Sequence, residues 1–321
     1  MMFRFIDGES CDHKMPQYFP LLGLLLLLLK LPATAQVPTA PRRLPAHARP
    51  HRLARLDAAV PETSGLCFTD GALWTLNDSG NPPELFRLDS ASGRVRQRVR
   101  IRNFPNVDWE ELAADAHYFY IGDFGNNAGN RRDLRVLRVP KAAIGAADIC
   151  SAVAEEIAFS YPDQTDFTPL PYHHNFDCEA LLVAQDSLHL FTKNWLDGRT
   201  RHYVLPTQPG RYIARLRGTL DAQGLVTAAA LSPDGRTVGL LGYTKTGRIF
   251  LWLLSGFRGN DYLAGTGRRL RLPGMLRLGQ VEGLCFVQPG RVFISNERLA
   301  HFPLRVRQRL YALNVGRWLA H

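Results

Sequence analysis

Short apolar strands recur along the chain, each beginning at an acidic or hydroxyl residue and returning through a tight turn to a polar residue. The five copies begin at Ser64, Glu110, Glu179, Thr227 and Glu282. Their spacing of roughly 50 residues is typical of a β-propeller, in which a four-stranded antiparallel blade recurs around a central channel. The pattern therefore predicts an all-β propeller with five blades.

The last repeat offers three strands, over 281–287, 291–296 and 308–314, where the earlier repeats offer four. We predict its missing outer strand at 51–56, because pairing of an N-terminal strand with the last blade closes the ring. A sixth, degenerate blade between residues 140 and 178 is the alternative.

The N-terminus contains a leucine run, residues 21–29, that is too short to span a bilayer, followed by the small-x-small site Ala33-Thr34-Ala35. Residues 1–35 are therefore predicted to be a signal peptide, with Met15 as a possible start and an uncleaved anchor as the alternative. A Pro- and Arg-rich leader, 36–50, is expected to be disordered, and 51–318 to form one propeller domain. These features predict an exported, periplasmic or secreted monomer, with no stable membrane insertion after cleavage.

The net charge of +10 is mostly arginine, and its placement suggests solvated strand faces. Arginines alternate over 94–102 and again over 305–309, which is the period of a strand with one exposed face. Nucleic-acid binding would need a basic patch with aromatic residues or a recognition helix, and the sequence predicts neither. We therefore expect no nucleic-acid partner.

The connections between strands differ on the two faces of the predicted disc. The A–B turns are short hairpin turns, whereas the B–C and D–A connections are longer and rich in polar and aromatic residues. We therefore place the functional site on the B–C face. The candidate ligand-binding residues there are Asn77, Asp108, Trp109, Asn126, Lys193, Tyr243, Asn296 and Glu297.

Carboxylates recur at the A-strand starts and the B-strand ends, where they would surround the channel mouth. Such a ring repels itself unless a cation or Lys193 offsets the charge. A divalent ion with oxygen ligands, calcium, is the predicted cofactor; a structural ring bonded to backbone N–H groups and a site for a cationic or sugar ligand are the alternatives. The candidate metal ligands are Glu62, Asp78, Glu110, Asp123, Glu179 and Glu282.

Standard catalytic motifs are missing from the sequence: it has no Gly-x-Ser-x-Gly elbow, His-Glu-x-x-His, phosphate-binding glycine loop or Cys-x-x-Cys. His174, in a long loop of the B–C face, is a candidate general base, and Glu179 a second candidate catalytic residue. An inert surface histidine is the alternative for His174. Trp109 and Trp195 could stack on a ligand or pack between blades.

The segments 62–66, 73–80 and 85–89 resemble the opening blade of exported bacterial propellers of the esterase-like phytase and gluconolactonase-like group. Segments 106–113 and 121–127 resemble a mostly uncharacterised subgroup of it, and the similarity covers most of residues 55–315. Lactonases of the broader class hold a divalent ion through a Glu, two Asn and an Asp. The resemblance implies these parts for Glu62 or Glu110, for Asn77 and Asn296, and for Asp123, although Lys193 departs from that pattern.

Three functions follow from this reading. The first is an exported propeller that binds a small ligand at an acidic channel mouth, with calcium. The second is a metal-dependent hydrolase of lactones, esters or phosphoesters, in which the ion polarises the substrate and a carboxylate or His174 activates water. The third is a protein-interaction platform with a structural ring.

Overall fold

A computed structural model describes residues 46–301 and 304–319 of the 321-residue chain, without the side chains of residues 300–305. The described part is almost entirely β-structure, in five sheets that form the blades of a propeller. Neighbouring blades meet through their innermost strands, which contact one another around the ring. The predicted five-bladed, all-β propeller is confirmed.

The strands of each blade are named A to D from the channel outwards, and they follow one another along the chain. Blade one consists of Thr63–Thr69, Ala72–Asn77, Glu84–Leu88 and Val95–Ile101. Blade two consists of Trp109–Ala114, Tyr118–Asp123, Arg135–Pro140 and Glu155–Ser160. Blade three consists of Asp177–Ala184, Ser187–Lys193, Thr200–Pro206 and Arg215–Leu220. Blade four consists of Leu225–Leu231, Thr237–Tyr243, Ile249–Ser255 and Thr266–Arg271.

Blade five is completed by the N-terminal strand. Its inner strands are Val281–Gln288, Arg291–Asn296 and Arg309–Asn314, and His51–Arg55 pairs antiparallel with the last of these. The predicted closure of the ring is therefore confirmed. The sixth-blade alternative is wrong, because the strands between residues 140 and 178 belong to blades one, two and three.

Three blades carry a fifth, outermost strand that pairs parallel to strand D. These strands are Ile149–Ala152 on blade one, Gly210–Ile213 on blade two and Ala46–His47 on blade four. The arginine-rich strand Val95–Ile101 is therefore covered at its edge, although its arginines remain exposed as predicted.

The expectation of disorder through residue 50 is wrong for its last residues. Ala46–His47 form a strand that pairs with blade four. The next residue, Ala48, donates its N–H to the Arg271 carbonyl and is buried in the core against blade four. The predicted signal peptide and the rest of the leader lie outside the described residues.

The remaining described elements are small. A two-stranded hairpin, Leu299–His301 and Leu304–Val306, lies between two strands of blade five in the sequence, and the α-helix is Met275–Leu278. Three 3₁₀ turns occupy Lys141–Ala143, Tyr262–Ala264 and Gly316–Trp318. Within the described ranges no helix has the length and apolar character needed to cross a membrane.

Candidate functional site

Each A strand has a β-bulge close to its start, on the face of the B–C connections. The strand pairing skips one residue in every blade, namely Gly65, Glu110, Glu179, Thr227 and Glu282. A bulge redirects the side chain of the extra residue. Four of these five residues belong to the ring predicted at the A-strand starts, and in blade one the bulge falls one residue after Ser64.

Two groups of carboxylates form at the channel mouth. One oxygen each from Asp78, Asp108 and Glu110 lie within 4.8 Å of one another, and so do oxygens from Asp78, Glu282 and Glu297. Asp78 follows strand B of blade one, and it contributes to both groups. The structure therefore joins side chains from blades one, two and five.

Burial and nearby carboxylates raise the pKa of Asp78, Asp108, Glu110 and Glu297. Burial, followed by the Glu282 carboxylate, raises the pKa of Asp78 to about 7. Burial and then Asp78 raise the pKa of Glu110 well above its usual range, and burial and then Glu282 do the same for Glu297. Burial and the nearby Asp177 raise the pKa of Asp108 to about 6. Crowded carboxylates of this kind are stabilised by a bound cation.

Neighbouring groups orient these carboxylates. The side-chain amide of Gln280 donates to Glu282 Oε1 at 2.6 Å and to Glu297 Oε2 at 3.1 Å. Gly125 lies against Asp108 and Glu110, so that a Cβ at this position would collide with both carboxylates. Glycine therefore lets both carboxylate ends lie close to the backbone here, and a Cβ would displace these flexible side-chain ends.

Several buried acceptors at the mouth receive no hydrogen bond from the residues that the structure describes. They are Glu179 Oε2, Asn296 Oδ1 and Glu297 Oε1, on side chains of residues that are at most 8% exposed. A buried unpaired acceptor is costly. A cation or ordered water at the mouth would remove that cost.

Lys193 lies near these carboxylates, but its ion pair is with Glu179. Its ammonium group forms a buried ion pair with Glu179 and lies 4.8 Å from the ring centroid of Trp195 and 5.6 Å from that of Tyr243. Burial opposes its charge most strongly, but Glu179 together with Tyr243, Asp177 and Glu282 outweighs burial and raises the pKa of Lys193 well above its usual range. Lys193 therefore stays charged and compensates Glu179.

Three candidate metal ligands lie outside both groups: Glu179, which is paired with Lys193, and Asp123 and Glu62. Asp123 is fully buried and receives Arg131 at 3.0 Å on one oxygen and Arg135 at 2.9 Å on the other. Glu62 is exposed and accepts a hydrogen bond from Asn81. Because two arginines already occupy its oxygens, we leave Asp123 out of any cation site.

Neither Trp109 nor His174 is free to act as predicted. Trp109 is 0% exposed and packs in the core between blades one and two, which was the alternative to ligand stacking. The prediction that Trp109 contacts a ligand is therefore wrong. His174 Nδ1 accepts the Phe176 N–H at 3.1 Å, and Nε2 therefore donates to the Asn127 carbonyl at 3.0 Å. With both ring nitrogens engaged by the backbone, His174 holds its loop in place and is not a free general base.

The three candidate asparagines bind the backbone. Asn77 donates to the Ala59 carbonyl and accepts from the Glu62 N–H. Asn126 donates to the Phe176 carbonyl and accepts from the Arg131 N–H. Asn296 donates to the carbonyls of Glu297 and Arg307, and of these three asparagines it alone keeps an unpaired Oδ1 among the described residues.

Glu111 is a central residue to which sequence reasoning gave no role. Its buried carboxylate accepts the N–H groups of Leu66 at 3.3 Å, Leu112 at 3.0 Å and Ala229 at 3.2 Å. It therefore links blades one, two and four across the channel, which is the behaviour expected of a structural ring. The doubled Glu110-Glu111 at one repeat position was the available signal.

Comparisons with known proteins show fold likeness alone. No protein-family model matches the sequence, and the search of curated proteins gives no match. A PQQ-bound aldose sugar dehydrogenase from Streptomyces coelicolor aligns with 84% of this chain and 99% of its own at 11% identity, with a TM-score of 0.47. A putative 6-phosphogluconolactonase from Bacteroides uniformis aligns with 79% of this chain and 72% of its own at 14% identity, with a TM-score of 0.38.

A protein of unknown function from Dyadobacter fermentans aligns with 78% of this chain and 76% of its own at 9% identity, with a TM-score of 0.46. At these identities, none of the three structures supports a role for a particular residue of this chain. The resemblance to esterase-like phytase and gluconolactonase-like propellers stays a prediction from the sequence. The structure shows that this chain is a five-bladed β-propeller with an acidic channel mouth.

Proposed function

We propose that the channel mouth binds a divalent cation, calcium, and through it a small ligand. The observation that supports this most is the convergence of five carboxylates from three blades without a basic partner. Among the side chains that the structure describes, no lysine or arginine forms a salt bridge with any of the five, which are Asp78, Asp108, Glu110, Glu282 and Glu297.

The donor set favours calcium over other metals. Both groups offer carboxylate oxygens, with no histidine or cysteine among their members. Oxygen donors suit the hard cations, and calcium accepts six to eight oxygens in flexible geometry, whereas magnesium requires a near-ideal octahedron. Carboxylates from separate blades can bind in one- or two-oxygen modes, which suits the flexible ion.

We prefer ligand binding to hydrolysis because His174 is not free to act as a general base. The predicted hydrolase needs a base to activate water, and both ring nitrogens of His174 are held by backbone groups. A carboxylate of the groups would have to replace it. A panel of lactones, esters and phosphoesters, with and without chelator, tests the hydrolase: turnover that chelator abolishes would establish it.

Calcium binding is tested by thermal unfolding of protein stripped of metal with a chelator. At a calcium concentration near a hundred times Kd, linkage adds about 2.7 kcal/mol, which raises the Tm of a domain this size by about 5 °C. Asp78→Asn should lose most of this shift. Asp186→Asn, at an exposed A–B turn, should keep it. A wild-type melting curve that ignores both calcium and chelator would leave the structural ring as the function of these residues.

We also propose that the protein is exported, since the Ala33-Thr34-Ala35 site follows the leucine run. Protein recovered from the producing cell should begin at or near Gln36. Recovery of the leucine run in a membrane fraction, still attached to the propeller, would contradict cleavage.

A further inference from the structure

We propose that a basic cleft at the seam between blades four and five binds the phosphate group of a small anionic ligand. The cleft has a volume of about 230 Å³, and its walls contain four arginines and one tyrosine, which are Arg49, Arg52, Arg277, Arg309 and Tyr311. It shares no lining residue with the two carboxylate groups of the channel mouth. The inference therefore does not depend on the proposed calcium binding.

Blade five supplies three of these side chains from one face of its sheet. Arg309 and Tyr311 are two residues apart on strand C, so their side chains point to the same side. Arg52 is paired with Tyr311 in the neighbouring strand D, and directly opposed residues share a face. Tyr311 packs in the hydrophobic core that blades four and five share, so this face is turned towards blade four.

The other two arginines come from segments that join the two blades. Arg277 belongs to the short helix in the connection from blade four to blade five. Arg49 lies between Ala46–His47, the fifth strand of blade four, and His51–Arg55, the outer strand of blade five. Closure of the ring therefore brings arginines from both ends of the propeller domain to one cavity.

The arginines of the cleft have no acidic partner. Its walls contain neither aspartate nor glutamate. Among the side chains that the structure describes, no carboxylate forms a salt bridge with Arg49, Arg52, Arg277 or Arg309. Positive charges gathered around a concave site repel one another and attract an anion.

A buried hydroxyl group also points to a ligand in this cleft. Tyr311 is 4% exposed, and its hydroxyl group has no hydrogen-bond partner among the described residues. A buried hydroxyl group without a partner costs free energy, and its O–H can donate to an anionic oxygen. A ligand oxygen bound beside Tyr311 would supply the missing partner.

Residue type, charge and size together favour a phosphate group. A guanidinium group donates two parallel hydrogen bonds to phosphate oxygens, and a phosphate monoester carries a charge of about −1.5 to −2, more than one carboxylate offers to four arginines. The cleft, at about 230 Å³, is smaller than the roughly 300–1,000 Å³ of pockets that enclose whole drug-sized ligands. It therefore suits the charged group of a ligand whose remainder lies outside.

Calorimetric titration with inorganic phosphate tests the site, on protein stripped of metal and then freed of chelator. The wild type should bind phosphate more tightly than acetate. Arg277→Gln and Arg309→Gln should each weaken phosphate binding by about tenfold or more, because each removes charge-assisted hydrogen bonds. Arg100→Gln removes the same charge from the exposed face of blade one, and it should change binding by less than about twofold.

Tyr311→Phe guards against loss of folding as the cause of weak binding. It removes the unpaired hydroxyl group and keeps the ring, so the phosphate-free Tm should stay level or rise while phosphate binding weakens several-fold. A lower Tm with unchanged phosphate binding would assign the hydroxyl group to the fold and contradict its part in the site.

Two further probes distinguish the sources of the phosphate group. Calorimetric binding of glycerol phosphate would identify a soluble ester. Sedimentation with phosphatidylcholine vesicles only when they contain phosphatidic acid would identify a lipid headgroup, and Arg277→Gln should abolish either result. The proposal is overturned if the wild type binds none of the three phosphate probes, or if Arg277→Gln and Arg309→Gln bind them as tightly as the wild type. Calcium binding at the mouth is absent from all these measurements, so its failure would leave them unchanged.

Discussion

Lys193 and Glu179 form an ion pair inside the channel mouth, with both side chains only 5% exposed. The two residues belong to one blade: Glu179 is the bulge residue of strand A, and Lys193 ends strand B. Blade three thus neutralises its own acidic ring residue. The carboxylates of blades one, two and five have no such partner among the described residues, which is why the cation site is proposed there.

Replacing Lys193 with methionine should lower the free energy of unfolding by about 3–5 kcal/mol, because Glu179 would remain as an unpaired buried charge. Adding Glu179→Gln should restore most of the loss. Denaturant unfolding monitored by fluorescence measures both. Lys245→Met, in an exposed loop, is the control and should change stability by less than about 0.5 kcal/mol. A loss below about 1 kcal/mol for Lys193→Met would show that the pair contributes little.

Replacing Glu111 with glutamine should destabilise the propeller by about 1–3 kcal/mol. The amide nitrogen cannot accept a hydrogen bond, so at least one N–H among those of Leu66, Leu112 and Ala229 would lose its acceptor in the core. Urea unfolding measures the change. Glu62→Gln, at the exposed rim, makes the same chemical change and should be nearly neutral. Similar effects from both substitutions would contradict the cross-blade role of Glu111.

In the metal-free protein, the contribution of Asp78 and Asp108 to stability should fall as the pH rises from about 4 to about 7. The pKa of Asp78, raised to about 7, and that of Asp108, raised to about 6, exceed their unfolded values, so the folded state holds these protons more tightly. This contribution is complete below the unfolded pKa of an aspartate and is lost as the pH passes the folded pKa. Relative to an Asp78→Asn, Asp108→Asn variant, the wild type should lose about 2 kcal/mol over this range, after allowance for solvent screening.

The measurement is unfolding in chelator at a series of pH values, and the paired variant is its control. Two buried histidines change stability in the opposite sense: burial lowers the pKa of His189 to about 4 and that of His202 to about 3, and both are present in wild type and variant alike. Calcium should abolish the difference, because it binds the ionised carboxylates. Parallel pH profiles of the two proteins in chelator would contradict the raised pKa values of Asp78 and Asp108.

Deleting residues 1–56 should abolish cooperative unfolding, whereas deleting residues 1–45 should preserve it. The first deletion removes His51–Arg55 and leaves the edge of Arg309–Asn314 unpaired, and the second leaves every described strand in place. Calorimetric and fluorescence melting curves should coincide for the shorter deletion and separate for the longer one. Equal behaviour of the two proteins would contradict closure of the ring by this strand.

Much of the fold could be predicted from the sequence because it depends on local patterns. Alternation of apolar residues and the Asp, Gly and Pro turns predict each hairpin, and their recurrence predicts the blade number. The incomplete last repeat indicated the closing strand at 51–56, which the structure confirms as His51–Arg55. The parallel outer strands were missed, since short segments such as Ile149–Ala152 acquire strand structure only by pairing with a finished blade.

The acidic cluster at the channel mouth could be expected from the repeat, but only some of its members could be named from the sequence. Glu110 and Glu282 follow from the repeat, because a bulge at one position redirects the same side chain in every blade. Trp109 and Asp123 could not be placed correctly from sequence. The burial of Trp109 depends on the packing of blade two against blade one, and the state of Asp123 on two arginines that a later loop and strand deliver to it.

The sequence by itself determined the propeller, its five blades, their closure by the N-terminal strand and the acidic character of the channel mouth, since each is a local or periodic property of the chain. Only the tertiary structure decided which carboxylates share a neighbourhood and which have a basic partner. Asp78 meets Glu282 and Glu297 from the other end of the chain because closure of the ring brings blades one and five together. No spacing along the sequence encodes that contact.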